Sequence, residues 1–188
     1  TLHEDLIDFP KTLRAPRQIF VNSMSDLFHE EVPLEFIQKV FTSMNASPQH
    51  VFQVLTKRSG RLAELAGQLH WSKNIWMGVT VEDNDNQYRI ADLRKVGAAV
   101  RFISFEPLLS EIIKPDLRGM NWIIVGGESG PGARPIRQEW VESLQKQAIQ
   151  HDIPFFFKQW GGTNKKKSGK LLNGKVFQES PAFAAHGA

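Results

Sequence analysis

The sequence predicts an α/β fold built on a parallel sheet of about six strands. Short apolar runs rich in β-branched and aromatic residues alternate along the chain with segments whose apolar residues recur at helical spacing. The strand-like runs are apolar at nearly every position, which is the pattern of strands covered on both faces. Most crossovers are long enough to hold a helix, as parallel neighbours require. A barrel and a doubly wound sheet both satisfy these observations.

"QIFVNSM" (18–24) is the first predicted strand. "PLEFIQKVFTSM" (33–44) follows as a helix, with Phe36, Ile37, Val40, Phe41 and Met44 on one face and Pro33 suited to the first turn. "HVFQVLT" (50–56) is a strand and "SGRLAELAGQL" (59–69) a helix with Ser59 as its expected N-cap. "NIWMGVTV" (74–81) is a strand, and "DNDNQYRIADLRKVG" (83–97) a helix expected to close at Gly97. "AVRFISF" (99–105) and "NWIIVGG" (121–127) are strands joined by an irregular connection. "RQEWVESLQKQAIQH" (137–151) is a helix carrying Trp140, Val141, Leu144 and Ala148, and "PFFFKQW" (154–160) is the last strand. Residues 1–160 are expected to form one domain. The tail, 161–188, is polar and glycine-rich, expected to pack on the barrel or trail from it, with "NKKKSGK" solvated.

Composition narrows the function classes. Of 188 residues, 41% are hydrophobic and 23% charged, as in ordinary globular chains. A net charge of +3 permits contact with nucleic acid without arguing for it. The chain has no cysteine, so it supplies no disulfide and no thiolate ligand to zinc or iron. No apolar run reaches the roughly 18 residues of a membrane span, and the expected compartment is the cytoplasm. The six histidines show no metal-ligand spacing, although His29 could join Asp26 on the rim. The sequence begins at Thr1, and an upstream segment is expected.

The carboxyl ends of parallel strands share one rim, where ligands of such folds bind. Taken in order, the strand ends place Asn22, Ser23, Ser25 and Asp26 there, then Thr56, Lys57 and Arg58. Thr80, Glu82 and Asp83 come next, followed by Ser104 and Glu106. Gly126, Gly127, Glu128 and Ser129 follow, and last Lys158, Gln159 and Trp160. Asp26, Thr80 and Asp83 also belong to the types that cap turns and helices. Two carboxylates, Glu106 and Glu128, could converge with the cations Lys57, Arg58 and Lys158 on a zwitterionic ligand; an internal salt-bridge network is the alternative.

"IIVGGESGPGARPI" (123–136) offers a sharper expectation: Glu128 against an ammonium group, glycine amides against a carboxylate, Arg134 aimed at the rim. The loop lacks the lysine of a phosphate-binding loop, the spacing of a dinucleotide fingerprint and the serine of a nucleophile elbow. Trp160 could stack on a planar ligand.

Six segments taken together, "IFVNSMSDLFHEEVP", "FQVLTKRSGRL", "NIWMGVTVED", "VRFISFEPLL", "WIIVGGESGPGARP" and "PFFFKQWG", resemble the phage-associated, radical-SAM-like three-cysteine protein family. The likeness extends over nearly the whole chain, to "GKLLNGKVFQESP". It implies a TIM-like, radical-SAM-like partial (β/α) barrel, an S-adenosylmethionine pocket at the carboxyl rim, and a [4Fe–4S] cluster on three closely spaced cysteines, which would lie upstream of Thr1. Without those cysteines the chain is expected to be inactive in radical chemistry. The resemblance makes Gly126, Gly127, Glu128 and Ser129 candidate cofactor binders. Rim position makes Glu106, Lys57 and Lys158 candidate substrate or ribose contacts and catalytic groups. Asn22, Asp26, Arg58, Glu82, Arg134, Gln159 and Trp160 complete the candidate rim.

Three functions stay open on these grounds. One is an S-adenosylmethionine-dependent enzyme acting on an unidentified small molecule, nucleotide or nucleic acid. Another is a non-catalytic phage or prophage protein that offers the rim to a protein partner encoded nearby. The last is a barrel enzyme using acid–base chemistry through Glu106, Glu128 and Lys158.

Overall fold

A computed structural model describes residues 2–22, 25–163 and 168–182. Six parallel strands stand in sequence order in one curled half-barrel sheet: β1 (Gln18–Val21), β2 (Val51–Thr56), β3 (Ile75–Thr80), β4 (Val100–Phe105), β5 (Trp122–Gly126) and β6 (Phe155–Gln159). Sequential order means that each crossover steps to the next strand on the same side, which winds a barrel rather than a doubly wound sheet. Among the described residues no helix is long and apolar enough to cross a membrane.

The helices are α1 (Leu34–Asn45), α2 (Ser59–Leu65), α3 (Tyr88–Arg94) and α4 (Gln138–Gln150). The helix expected over 59–69 ends its α-helical part at Leu65 and continues as a 3-10 turn, Ala66–Gln68. The one expected over 83–97 splits into a 3-10 turn, Asn84–Asn86, and α3, because the Asp83 carboxylate accepts from the Asn86 amides and tightens that first turn. Two capping expectations fail. Arg58 is the N-cap of α2, while the Ser59 hydroxyl donates to Asp92 at 2.8 Å. α3 ends at Arg94 with Lys95 as its C-cap, and Gly97 is not among the glycines with positive φ. β1 stops at Val21 because Asn22 takes a left-handed conformation, φ 58°.

Alternate residues of each strand serve two cores. Met77, Val79, Ile103, Phe105, Ile123 and Val125 pack with the helices in the main core. The opposite parity, Val51, Trp76, Phe102 and Trp122, forms a second cluster on the concave face. There Trp122 meets Trp76 and Phe156 edge-on, with ring centroids 6.0 Å apart in each pair. Phe102 lies across Gly78, where any Cβ would run into its ring.

The tail packs on the barrel over residues 168–182. Asn173 and Gly174, both at positive φ, turn a hairpin in which Leu172 and Lys175 exchange backbone hydrogen bonds. Leu172 is fully buried. The chain then runs antiparallel to β6, with the Phe157 N–H donating to the Phe177 carbonyl at 2.8 Å and Trp122 Nε1 donating to the Glu179 carbonyl at 2.8 Å. In this way the tail covers the outer edge of β6. Lys165, Lys166 and Lys167 of the "NKKKSGK" run lie outside the described residues.

Candidate functional site

Strand alternation decides what faces the mouth of the half-barrel. On the concave face Trp76 is followed by Gly78 and Thr80, then Glu82 just past the strand end; Phe102 is followed by Ser104 and Glu106; Phe156 is followed by Lys158. An aromatic floor therefore lies beneath two hydroxyls, and carboxylates and ammonium groups stand above them. Thr80 and Ser104 are direct neighbours in the β3–β4 register, each only 3% exposed. Their hydroxyls bond to no other described residue.

Two ion-pair groups flank the mouth. On the β2–β3 side Glu82 is buried between Lys57, whose Nζ is 2.5 Å from Oε1, and Arg89, whose Nη1 donates to Oε2 at 2.8 Å and to the Thr80 carbonyl at 2.8 Å. On the β4–β6 side Glu106 accepts from Lys158 Nζ at 3.0 Å and from Gln159 Nε2 at 2.7 Å. Gly126 makes room for this second group: a Cβ there would stand 3.1 Å from Gln159 Nε2 and 3.2 Å from the Glu106 carboxyl.

Asp26 and Arg58 lie apart from the mouth, toward the helices. Asp26 ties the first two strand ends together, accepting from the Thr56 hydroxyl at 2.7 Å, the Phe28 amide at 2.9 Å and the Lys57 amide at 3.1 Å. Arg58 donates to Glu30 at 2.9 Å and lies 3.5 Å from Asp26. Asn22 is exposed at the end of β1. Ser23 lies outside the described residues, and His29 Nδ1 accepts the Glu31 amide at 3.2 Å, a turn contact.

The opening of the "GGESGPGARP" loop is used internally. Glu128 holds Arg134 in a two-point pair, at 2.7 and 2.9 Å, and also accepts the Arg134 amide at 2.8 Å. The Arg134 hydrogen bond brings the Glu128 carboxyl from its ordinary 4.5 down to about 2. Arg134 is raised in turn, by the bond to Glu128 first, with the charge of Glu82 adding to it. The Gly127 amide donates to the Gln159 carbonyl at 2.9 Å, so it is spent between strands and not on a ligand. Gly127 faces the Trp160 carbonyl and Gly161 faces the Glu128 carbonyl with no space for a Cβ on either. Gly162 donates to the Glu128 carbonyl at 2.7 Å and Ser129 pairs with Gly162, so the two loops interlock through their backbones. Trp160 does not stand free to stack: it meets Phe157 edge-on at 4.7 Å and donates its indole N–H to the Leu171 carbonyl at 2.9 Å.

Lys57 and Glu82 on one side and Glu106, Lys158 and Gln159 on the other thus stand at the mouth as two separate groups, with Thr80 and Ser104 on the strands that carry Glu82 and Glu106. Arg89, which completes the Glu82 group, is not legible as a site residue in the sequence, because an arginine on a predicted amphipathic helix carries no sign of pointing back at a strand end. A cleft of about 620 Å³ lies elsewhere, between the amino-terminal segment, β1 and α1, and its lining is mostly apolar: Leu6, Phe9, Ile19, Val21 and Phe36 among others. Asn22, Ser25, Asp26 and His29 of the expected rim line that cleft too, whereas the mouth sets carboxylate–ammonium pairs above two hydroxyls. No group of histidines and carboxylates among the described residues is placed to hold a metal ion.

The model of the family described as "Protein of unknown function (DUF5131)" matches residues 1–181, and the chain belongs to that family. No curated protein and no solved structure matches it.

Proposed function

We propose that this family member binds S-adenosylmethionine in the concave mouth of its half-barrel. The observation that carries the reading is the pair of nearly buried hydroxyls, Thr80 and Ser104, which have no partner among the described residues and are set between two carboxylate–ammonium groups above an aromatic floor. A ligand with an ammonium, a carboxylate, a hydroxylated ring and a flat apolar base matches that set group for group. Glu106 and Glu82 suit its ammonium, Lys158 and Lys57 its carboxylate, and the hydroxyls its ribose. When bound, S-adenosylmethionine supplies an activated methyl or adenosyl group. The chain's own part is to orient that group and keep its charges paired as water leaves. Gly127, Glu128 and Ser129 support the pocket by fixing the loop beside it.

The residues present do not fit a [4Fe–4S] cluster, since the chain has no cysteine and no alternative set of ligands is assembled among the described residues. No step is routed through one. The charge of +3 permits a nucleotide-bearing substrate without arguing for it.

Calorimetric titration with S-adenosylmethionine tests the proposal. Binding should weaken about tenfold or more in Glu106→Gln and Lys158→Ala, as loss of one charged hydrogen-bond partner predicts. Glu128→Ala should weaken it far less. Absence of binding, or equal binding by all four proteins, rejects the mouth as the site.

A second reading rests on the same ion pairs. Glu82, Glu106 and Glu128 each already face a cation of the chain, as in a finished structural network. A non-catalytic rim offered to a partner protein is the function left if the cofactor does not bind. If Glu106 instead serves acid–base catalysis, Glu106→Gln should abolish turnover while leaving ligand affinity intact.

A further inference from the structure

Glu82 and Glu106 occupy matching places, each two residues beyond one hydroxyl of the Thr80–Ser104 pair, yet they are held differently. The Glu82 side chain is 9% exposed and carries a cation on each oxygen, Lys57 on Oε1 and Arg89 on Oε2. The Glu106 side chain is 22% exposed and carries one cation, Lys158 on Oε2, with the neutral Gln159 amide on Oε1. The β2–β3 group therefore sets two positive charges against one negative, whereas the β4–β6 group is balanced.

The two cations on Glu82 are not equivalent. Arg89 reaches over from α3, is 11% exposed, and shares its Nη1 between Glu82 and the Thr80 carbonyl, at 2.8 Å each. It is fixed at two points. Lys57 is 54% exposed, and among the described residues its ammonium meets Glu82 alone. A compact charge on a flexible stem changes partners more readily than a guanidinium fork. Whether a cation can leave depends on the carboxylate that stays behind, because a carboxylate removed from water and without a cation is costly. Glu82 keeps Arg89 when Lys57 departs. Glu106 would keep only a neutral amide if Lys158 departed.

We propose that Lys57 is an exchangeable cation, which leaves Glu82 for the carboxylate of the bound ligand while Arg89 holds Glu82 neutralised. This rests on the reading of the mouth as an S-adenosylmethionine site and narrows it to one direction. The ligand's carboxylate turns toward β2. Its ammonium turns toward β4, because Glu106 has an oxygen that no cation occupies. β2 and β4 flank β3, two strand spacings or roughly 10 Å apart. An amino-acid head and the free length of a lysine side chain cover that gap together. Lys158 stays on Glu106 and donates to the ligand from there. Lys57 is thus the residue that selects for a carboxylate. Arg89 is a positioning residue, acting through Glu82 to free Lys57.

Titration calorimetry with S-adenosylmethionine and with its decarboxylated form, which keeps the ammonium and lacks the carboxylate, tests the exchange. The wild-type chain should prefer the first by about tenfold or more, the worth of one charged hydrogen-bond partner. Lys57→Met should lose that preference with an unchanged circular dichroism spectrum, since the side chain is exposed. Lys158→Ala should weaken both compounds alike and keep the preference. Arg89→Leu, which leaves Lys57 as the sole cation on Glu82, should lose it, and Arg89→Lys should restore it. A role of Arg89 in folding alone would lower the unfolding midpoint without moving the ratio of affinities. A preference lost in Lys158→Ala and kept in Lys57→Met overturns the exchange, and so does one that survives Arg89→Leu. If Arg89→Leu does not fold, the two lysine variants decide alone. Equal binding of both compounds by the wild type overturns the exchange and leaves the mouth as the S-adenosylmethionine site. Binding of neither overturns that reading as well.

Discussion

Lys158 reaches back across 52 residues of sequence to hold Glu106 at 3.0 Å, and the two define one wall of the mouth. The lysine side chain is 54% exposed and the glutamate 22%, so solvent screens the pair. Its contribution to folding should be less than about 1 kcal/mol in a double-mutant cycle of Glu106→Gln and Lys158→Met followed by urea unfolding. A coupling several times larger would make the pair a structural strut, and its effect on ligand binding could no longer be read separately.

Gly127 has a different standing, because what crowds it is backbone. A methyl group there meets the Trp160 carbonyl, which cannot swing aside as a side chain would. Gly127→Ala should cost about 2–3 kcal/mol or more, the upper range for overpacking, and should loosen the interlocked loops. Gly130→Ala, where no heavy atom lies within 4 Å of the added methyl but φ is 118°, separates backbone strain from crowding. Unfolding midpoints close to wild type for Gly127→Ala would show that the two loops part easily.

Acid should act on the Glu128–Arg134 pair. The folded carboxyl titrates at about 2 against an ordinary 4.5, its proton affinity lowered chiefly by the Arg134 side chain. Stability from this pair is therefore complete above about pH 4.5 and disappears as the pH falls toward about 2. Wild type and Glu128→Gln should differ in stability at neutral pH and converge across that interval. A carboxyl resonance titrating near 4.5 in the folded protein would contradict the bond.

Removing the tail from Lys170 onward should uncover the β6 edge, empty the site of the fully buried Leu172 and break the Trp122 hydrogen bond to Glu179. Loss of a buried leucine alone costs about 2–5 kcal/mol. The truncated chain should unfold at lower urea, shift its tryptophan emission to the red and associate through the bared edge. Full solubility and unchanged emission would show that the tail is dispensable.

The strands were legible because burial on both faces writes itself as continuous apolarity. "HVFQVLT", "NIWMGVTV" and "PFFFKQW" each lie within one residue of an observed strand at either end. The exception is β1, where Asn22 breaks a run that looks unbroken in the letters. The tail was less legible, since only "NG" at 173–174 signals its hairpin and its pairing to β6 spans residues far apart in sequence.

Sequence by itself determined the elements, the parallel pairing that helical crossovers force, and the polar groups gathered at strand ends. These are local consequences of side-chain period and type. Tertiary structure alone decided the order of strands, since barrel and doubly wound sheets bury the same apolar runs. It also decided the partners of each charge. Lys57 and Arg58 are adjacent in sequence, yet alternation sends one into the mouth to Glu82 and leaves the other with Glu30 and Asp26. Charge pairing depends on distances of a few ångströms between residues tens of positions apart, and no local pattern encodes them.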